Sequence, residues 1–275
     1  MLYVVHEAMP KNYAWKIHGA PVTHAVWAGY RLDATAKLKG GVAGMVQRQP
    51  MEQYLLVGLT SVRAGTTILT QPNLRRKSIA AILRLLDRHV DVHGIQLDFE
   101  YLPPTHAENF VAFVRSLRSE LPRRVSLYIA VFPPIGMPEA WSAFHKLPEL
   151  AATTDGIVVM LYDYHRQGTK PGCVSGLKWL DENAAALARL PRSKVWLGAP
   201  LYGYRFDGRK ASALSRAGFT KIKGAEKNAD GCHEKIISDE AAAYYPSPGL
   251  YERYETLRRE HDFAGIAYWR AGLEK

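Results

Sequence analysis

Cysteine is nearly absent from this chain: Cys173 and Cys232 stand alone among 275 residues. Two isolated cysteines make no disulfide framework, and without a CxxC pair they make no zinc site. A single bridge between them stays open. Long apolar runs are missing too. No stretch approaches the roughly 18 unbroken apolar residues of a membrane span, so none is expected. The opening Met1-Leu2-Tyr3-Val4-Val5-His6-Glu7 has neither a basic start nor a long apolar centre, and does not read as a secretory signal. No GxGxxG follows the first strand-like run, which argues against an open dinucleotide-binding sheet. Charge is plentiful but unbalanced. Lys and Arg number 36 against 26 Asp and Glu, a net +10 that favours anionic partners such as wall polymers, nucleic acid or a membrane surface. The cations are scattered (Arg75-Arg76-Lys77, Arg123-Arg124, Arg258-Arg259) with no nucleic-acid motif among them, so they read as solvated helix faces and no nucleic-acid partner is expected.

What is present is an alternation. Strand-like runs fall at 2–5, 24–28, 54–60, 94–100, 125–131, 156–162, 195–201 and 265–269. Apolar residues at helical spacing lie between several of them, at 78–89, 107–121, 177–190 and 250–261. Repeated strand–helix alternation implies parallel pairing through right-handed crossovers, and eight strands in 275 residues fit an α/β fold of the (β/α)8 TIM-barrel type. Residues 11–50 are glycine-rich and mark their helices poorly. The segment from Tyr204 to about Pro248 is long for a βα connection. It predicts an excursion between strands 7 and 8 that forms one cleft wall of a single domain spanning 1–275, rather than a domain of its own.

The most informative stretch is His93-Gly94-Ile95-Gln96-Leu97-Asp98-Phe99-Glu100-Tyr101. Along a strand Gln96, Asp98 and Glu100 share one face, while Ile95, Leu97 and Phe99 share the other. Two carboxylates about 7 Å apart repel when both are ionised, which raises one pKa and leaves a proton for general acid catalysis. A solvated edge strand would also carry acids, but a mainly parallel sheet is covered on both faces. Other polar or aromatic residues gather at strand ends: Tyr162-Asp163, Tyr202 and Trp269. In a barrel that end carries the active site.

At these residues the chain resembles glycoside hydrolase family 18, the chitinase-like enzymes. The fourth-strand signature Asp-Gly-x-Asp-x-Asp-x-Glu is matched at Gly94, Asp98 and Glu100, with His93 and Gln96 in place of two acids. Met160-Leu161-Tyr162-Asp163 matches the sixth-strand motif, Gly198-Ala199-Pro200-Leu201-Tyr202-Gly203 the seventh, and Gly265-Ile266-Ala267-Tyr268-Trp269 the last. Asp-Phe-Glu-Tyr-Leu-Pro-Pro at 98–104 and Pro-Leu-Tyr-Gly-Tyr at 200–204 resemble the bacterial spore-cortex and peptidoglycan N-acetylglucosaminidase branch.

The resemblance implies retaining, substrate-assisted hydrolysis, which departs from the usual two-carboxylate scheme. Glu100 would be the acid and then the base, and the sugar's 2-acetamido oxygen the nucleophile. Asp98 would hold the acetamido N–H, Tyr162 would position the acetamido oxygen, and Asp163 would support the sugar. Trp269 would form the floor, Tyr202 the wall, and Met160 would line the site or simply pack. Gln96 counts with Asp163, Tyr202, Trp269 and Met160 among the substrate-binding residues; it can hydrogen-bond Asp98 but cannot share its proton, which would leave Asp98 ionised and fixed. His93 reads as a residue of the far end of the strand, not as a metal ligand. No metal and no cofactor are implied. The expected partner is an N-acetylated polysaccharide, peptidoglycan or chitin-type, met by a monomer outside the membrane. The same residues could serve a chitinase, an N-glycan endo-β-N-acetylglucosaminidase or a glycan-binding barrel, although lectin-like relatives commonly lose the acid that Glu100 keeps.

Overall fold

Near-continuous apolar runs such as Gly-Ile-Val-Val-Met and Ser-Leu-Tyr-Ile-Ala-Val suit strands buried on both faces. The computed structural model describes residues 1–5, 13–42 and 51–274. In it these runs become β1 (Leu2–Val5), β2 (His24–Leu32), β3 (Glu52–Leu59), β4 (Gly94–Asp98), β5 (Ser126–Val131), β6 (Gly156–Met160), β7 (Val195–Pro200) and β8 (Gly265–Trp269). They follow one another around the sheet in chain order. The fold is a (β/α)8 barrel. A short strand, Leu38–Gly40, returns antiparallel along the end of β2. Part of the glycine-rich 11–50 segment lies outside the described residues.

Three barrel strands begin on glycine for a reason of space. A Cβ at Gly94 would lie 2.6 Å from the Tyr54 ring, one at Gly156 2.4 Å from Tyr128, and one at Gly265 2.4 Å from Trp196. Each glycine is thus the seat of an aromatic side chain from the preceding strand.

The chain divides into two compact units. The first comprises 1–132 and 138–158. Its helices include α1 (Val62–Thr70), α2 (Pro72–Arg88), α3 (Ala107–Glu120) and α4 (Leu147–Thr153). Ser61 caps α1 by accepting from the Ala64 N–H. α2 starts six residues before the predicted 78, because Pro72 occupies its first turn and the polar Asn73–Lys77 stretch carries no apolar period to announce it. The core behind β4 is aromatic: Phe99 stacks on Phe110 at 5.5 Å, and Phe110 on Phe144 at 4.8 Å.

The second unit comprises 133–137 and 159–275, with α5 (Leu177–Leu187) and α6 (Pro248–Glu260). Within it the long segment after β7 folds as a five-stranded antiparallel sheet from Gly203 to Pro246. Cys173 and Cys232, left open by the sequence, are disulfide-bonded with Cα atoms 5.9 Å apart. The bridge lies buried beside Phe206 and Tyr244 and joins the loop after β6 to this sheet. No helix among the described residues is long and apolar enough to cross a membrane.

Candidate active site

In the first unit, Asp98 is the last residue of β4 and Glu100 lies two residues beyond it. The predicted strand therefore stops short. Tyr101 adopts a positive φ of 59°, and the chain turns away from the sheet there. Burial pushes the Asp98 carboxyl up. Glu100 acts on the Asp98 carboxyl in the direction that favours its ionised form, as does the charge of Arg31.

Gln96 also departs from expectation. Its Nε2 donates to Tyr3 Oη at 2.6 Å, not to Asp98, and its Oε1 is buried with no hydrogen-bond partner. The amide is completely buried and sits two residues before Asp98 on the same strand face. His93 is exposed at the opposite end of β4, where its Nδ1 accepts from the Gln53 N–H at 3.1 Å.

Sequence reasoning missed His145. It is buried, with Nδ1 accepting from the Phe132 N–H at 3.2 Å and Nε2 within 3.1 Å of the Phe99 carbonyl oxygen. With Nδ1 as acceptor, Nε2 must carry the proton and donate. Burial lowers its pKa to about 4, with the Phe99 hydrogen bond acting in the other direction. A neutral imidazole therefore ties the peptide between Asp98 and Glu100 to the end of β5.

In the second unit, Asp163 follows β6 with a positive φ of 59°. Its Oδ1 accepts from Tyr202 Oη at 2.5 Å and from Tyr204 Oη at 2.8 Å. Burial raises its pKa, against the two tyrosine hydrogen bonds and the Arg166 charge. Tyr204 was not among the predicted site residues, although its i+2 spacing from Tyr202 within Pro-Leu-Tyr-Gly-Tyr carried the signal. Tyr162 is buried, its ring edge-on to Tyr202 at 6.3 Å. Trp269 is half-buried at the end of β8, in register with Pro200. Met160 is buried as the last residue of β6.

Buried tyrosines hold the strand ends of this unit. Tyr254 Oη donates to the Leu161 carbonyl at 2.5 Å, Tyr251 to Pro200 at 2.9 Å and Tyr245 to Leu201 at 3.1 Å. Carbonyls that leave a strand would otherwise be orphaned in an apolar setting. Among the described residues no group of three His, Cys, Asp or Glu is placed to hold a metal ion.

The glycosyl hydrolases family 18 model matches residues 63–270, and the chain belongs to that family. Its relatives include proteins named as cortical fragment-lytic enzymes and chitinases. A cortical fragment-lytic enzyme of Bacillus anthracis is 24% identical over 78% of this chain and 54% of its own length. The chain thus spans about half the length of the curated relatives it matches. The spore cortex-lytic enzyme SleL of Bacillus cereus shares the fold at a TM-score of 0.79 and 19% identity, over 91% of this chain and 64% of that one. A chitinase of Chromobacterium violaceum ATCC 12472 does so at 0.84 and 17%, over 100% and 95%.

Proposed function

We propose that the chain hydrolyses β-1,4 bonds next to N-acetylglucosamine in peptidoglycan, with retention and with the substrate's acetamido group as nucleophile. The observation that carries this reading is the pair of carboxyl groups, Asp98 and Glu100, at the end of β4, where burial raises the Asp98 pKa and Glu100 opposes that rise. When a sugar's acetamido N–H reaches Asp98, that carboxylate must ionise to accept it, and the proton stays with Glu100. Glu100 then protonates the glycosidic oxygen as the bond to C1 breaks. The acetamido oxygen closes on C1 and forms an oxazolinium ion, whose positive charge Asp98 offsets. The leaving glycan departs with the proton, and Glu100, now a carboxylate, takes a proton from the water that opens the ring.

In this proposal Tyr162 donates to the acetamido oxygen. Asp163, held by Tyr202 and Tyr204, accepts from sugar hydroxyls, and Trp269 supplies the apolar floor. Gln96 supports the pair from below and contacts no substrate atom; Met160 packs. Relatives named for lysis of spore cortex, and the net charge of +10, favour peptidoglycan over chitin.

Parallel digestion of purified peptidoglycan, chitin oligomers and a high-mannose glycopeptide, with mass analysis of the products, tests the reading. Muropeptides ending in reducing N-acetylglucosamine support it. Release from chitin alone would make the chain a chitinase. No release from any substrate, with equal glycan binding by the wild type and Glu100→Gln, would leave a lectin.

A further inference from the structure

Arg31 lies near the end of β2, in register with Gly58 of β3, and Gly58 is in register with Asp98 of β4. Laterally paired residues of a sheet project to the same face. Arg31 and Asp98 therefore face the same way, with backbones two strand spacings or about 10 Å apart. The position between them has no side chain. A Cβ at Gly58 would lie 3.9 Å from Arg31 Cγ, so the arginine stem runs along the gap that the glycine leaves. Tyr30 points to the other face, where its hydroxyl meets His89 Nε2 at 2.9 Å, as alternation requires.

The guanidinium is exposed and makes no hydrogen bond or ion pair among the described residues. Its antiparallel neighbour Lys39 is already engaged by Asp33 at 3.5 Å. Arg31 acts electrostatically on the Asp98 carboxyl. An unpaired cation on this face opposes the positive charge that builds on the sugar during cleavage. With a neutral glycan that cost is offset only by the help Arg31 gives to the ionised form of Asp98. With a glycan bearing its own anion, the arginine is neutralised and the anion is recognised through a planar fork suited to carboxylate.

We infer that Arg31 is a specificity-determining residue that binds a carboxylate carried by the N-acetylated glycan, such as the free 3-O-lactyl group of a muramic-acid unit that bears no stem peptide. The inference rests on the hydrolase reading of the Asp98–Glu100 site and narrows its substrate to an acidic glycan.

The test compares two ligands that differ only in charge. One is peptide-free strands of alternating N-acetylglucosamine and N-acetylmuramic acid. The other is the same strands with their lactyl carboxylates converted to primary amides. Binding is measured on the Glu100→Gln protein, so that no turnover intervenes, and kcat/KM is measured on the protein with Glu100. The Arg31 protein is expected to prefer the carboxylate strand by about 10-fold at low salt, corresponding to about 1.4 kcal/mol. That preference should shrink as salt screens the exposed charge. Arg31→Gln should erase it and Arg31→Lys keep part of it, with unchanged circular dichroism as the control for folding.

Equal affinity of the Arg31 protein for both strands would overturn the inference. So would an Arg31→Gln variant that weakens both in equal proportion, since that is the signature of an arginine that only tunes Asp98. Failure of the hydrolase reading looks different: no reducing ends from either strand while the carboxylate preference in binding persists.

Discussion

Gln96 reaches across 93 positions of sequence to Tyr3, and its Nε2 lies 2.6 Å from the phenolic oxygen. The contact gives β4 and the first strand a shared polar tether directly beneath Asp98, and leaves the amide's Oε1 unsatisfied. An acid at this position could trade a proton with Asp98, whereas an amide cannot. In the proposed mechanism, proton exchange between Asp98 and Glu100 therefore cannot extend to this position.

Tyr3→Phe strands both ends of the Gln96 amide in a dry site. A loss of about 1–3 kcal/mol is expected, the cost of one buried donor left unpaired. Tyr3→Phe combined with Gln96→Leu removes the polar groups together and should recover much of it. Urea unfolding of the two single variants and the double variant forms the cycle. Additive losses would show that the contact carries no coupling. Gln96→Asp should broaden the acid limb of the pH–rate profile, because a third carboxyl then joins the pair.

Asp98 costs the fold stability at neutral pH. Its carboxyl has a folded-state pKa raised chiefly by burial, so the folded chain binds more protons than the unfolded chain just above the ordinary carboxylate range. Stability from this group is full below the unfolded value near 4 and declines as pH rises through the folded value. Asp98→Asn removes the ionisation. The variant should melt at a higher temperature than the wild type near pH 7 and lose that advantage toward pH 4, while kcat falls by about two to four orders of magnitude. A variant that gains nothing in thermal scans at neutral pH would contradict the burial argument.

The barrel was legible because its signal is repetitive. All eight strands overlap the apolar runs that predicted them, since a parallel strand buried on both faces has little freedom in composition. The ends were less so. β4 stops at Asp98 rather than Glu100 because the turn at Tyr101 is a backbone event that no side-chain alternation announces. Partners distant in sequence were invisible for the same reason that Gln96 was assigned to Asp98: alternation says which face a residue occupies, not which strand it meets there. Tyr3, Arg31 and His145 each act on β4 from 93, 67 and 46 positions away from Gln96, Asp98 and Phe99 respectively. The disulfide was hidden likewise, since two cysteines 59 residues apart have no spacing to read.

Cys173–Cys232 closes a loop of 59 residues. In the chain-entropy description a loop of that length restricts the unfolded state by about 4 kcal/mol. The double variant Cys173→Ala/Cys232→Ala should therefore unfold well below the wild type, and reductant should lower the melting temperature of the wild type without affecting the double variant. Measurement by calorimetry in both redox conditions distinguishes the bridge from the packing of the two side chains. If reductant leaves the wild type unmoved, the bridge contributes no restraint.

His145 is the last link between stability and rate. Its neutral ring holds the Phe99 carbonyl on one side and the Phe132 N–H on the other, and so sets the direction in which Glu100 leaves the strand. Because its folded-state pKa is depressed to about 4, the stabilisation is complete above the ordinary histidine value and is lost as pH falls from about 6.5 toward 4. His145→Phe fills the volume but leaves two buried backbone groups unpaired, an expected loss of about 2–4 kcal/mol. His145→Gln can restore one or both of those bonds and should lie between the two. As a positioning residue, His145 should affect kcat more than KM: a displaced Glu100 carboxyl still meets substrate but no longer aligns with the glycosidic oxygen, a misplacement that costs about 10- to 100-fold. Both variants should lose the stability change between pH 6.5 and 4 that the wild type shows. Equal scaling of kcat and stability, with no change in pH dependence, would reduce His145 to a packing residue.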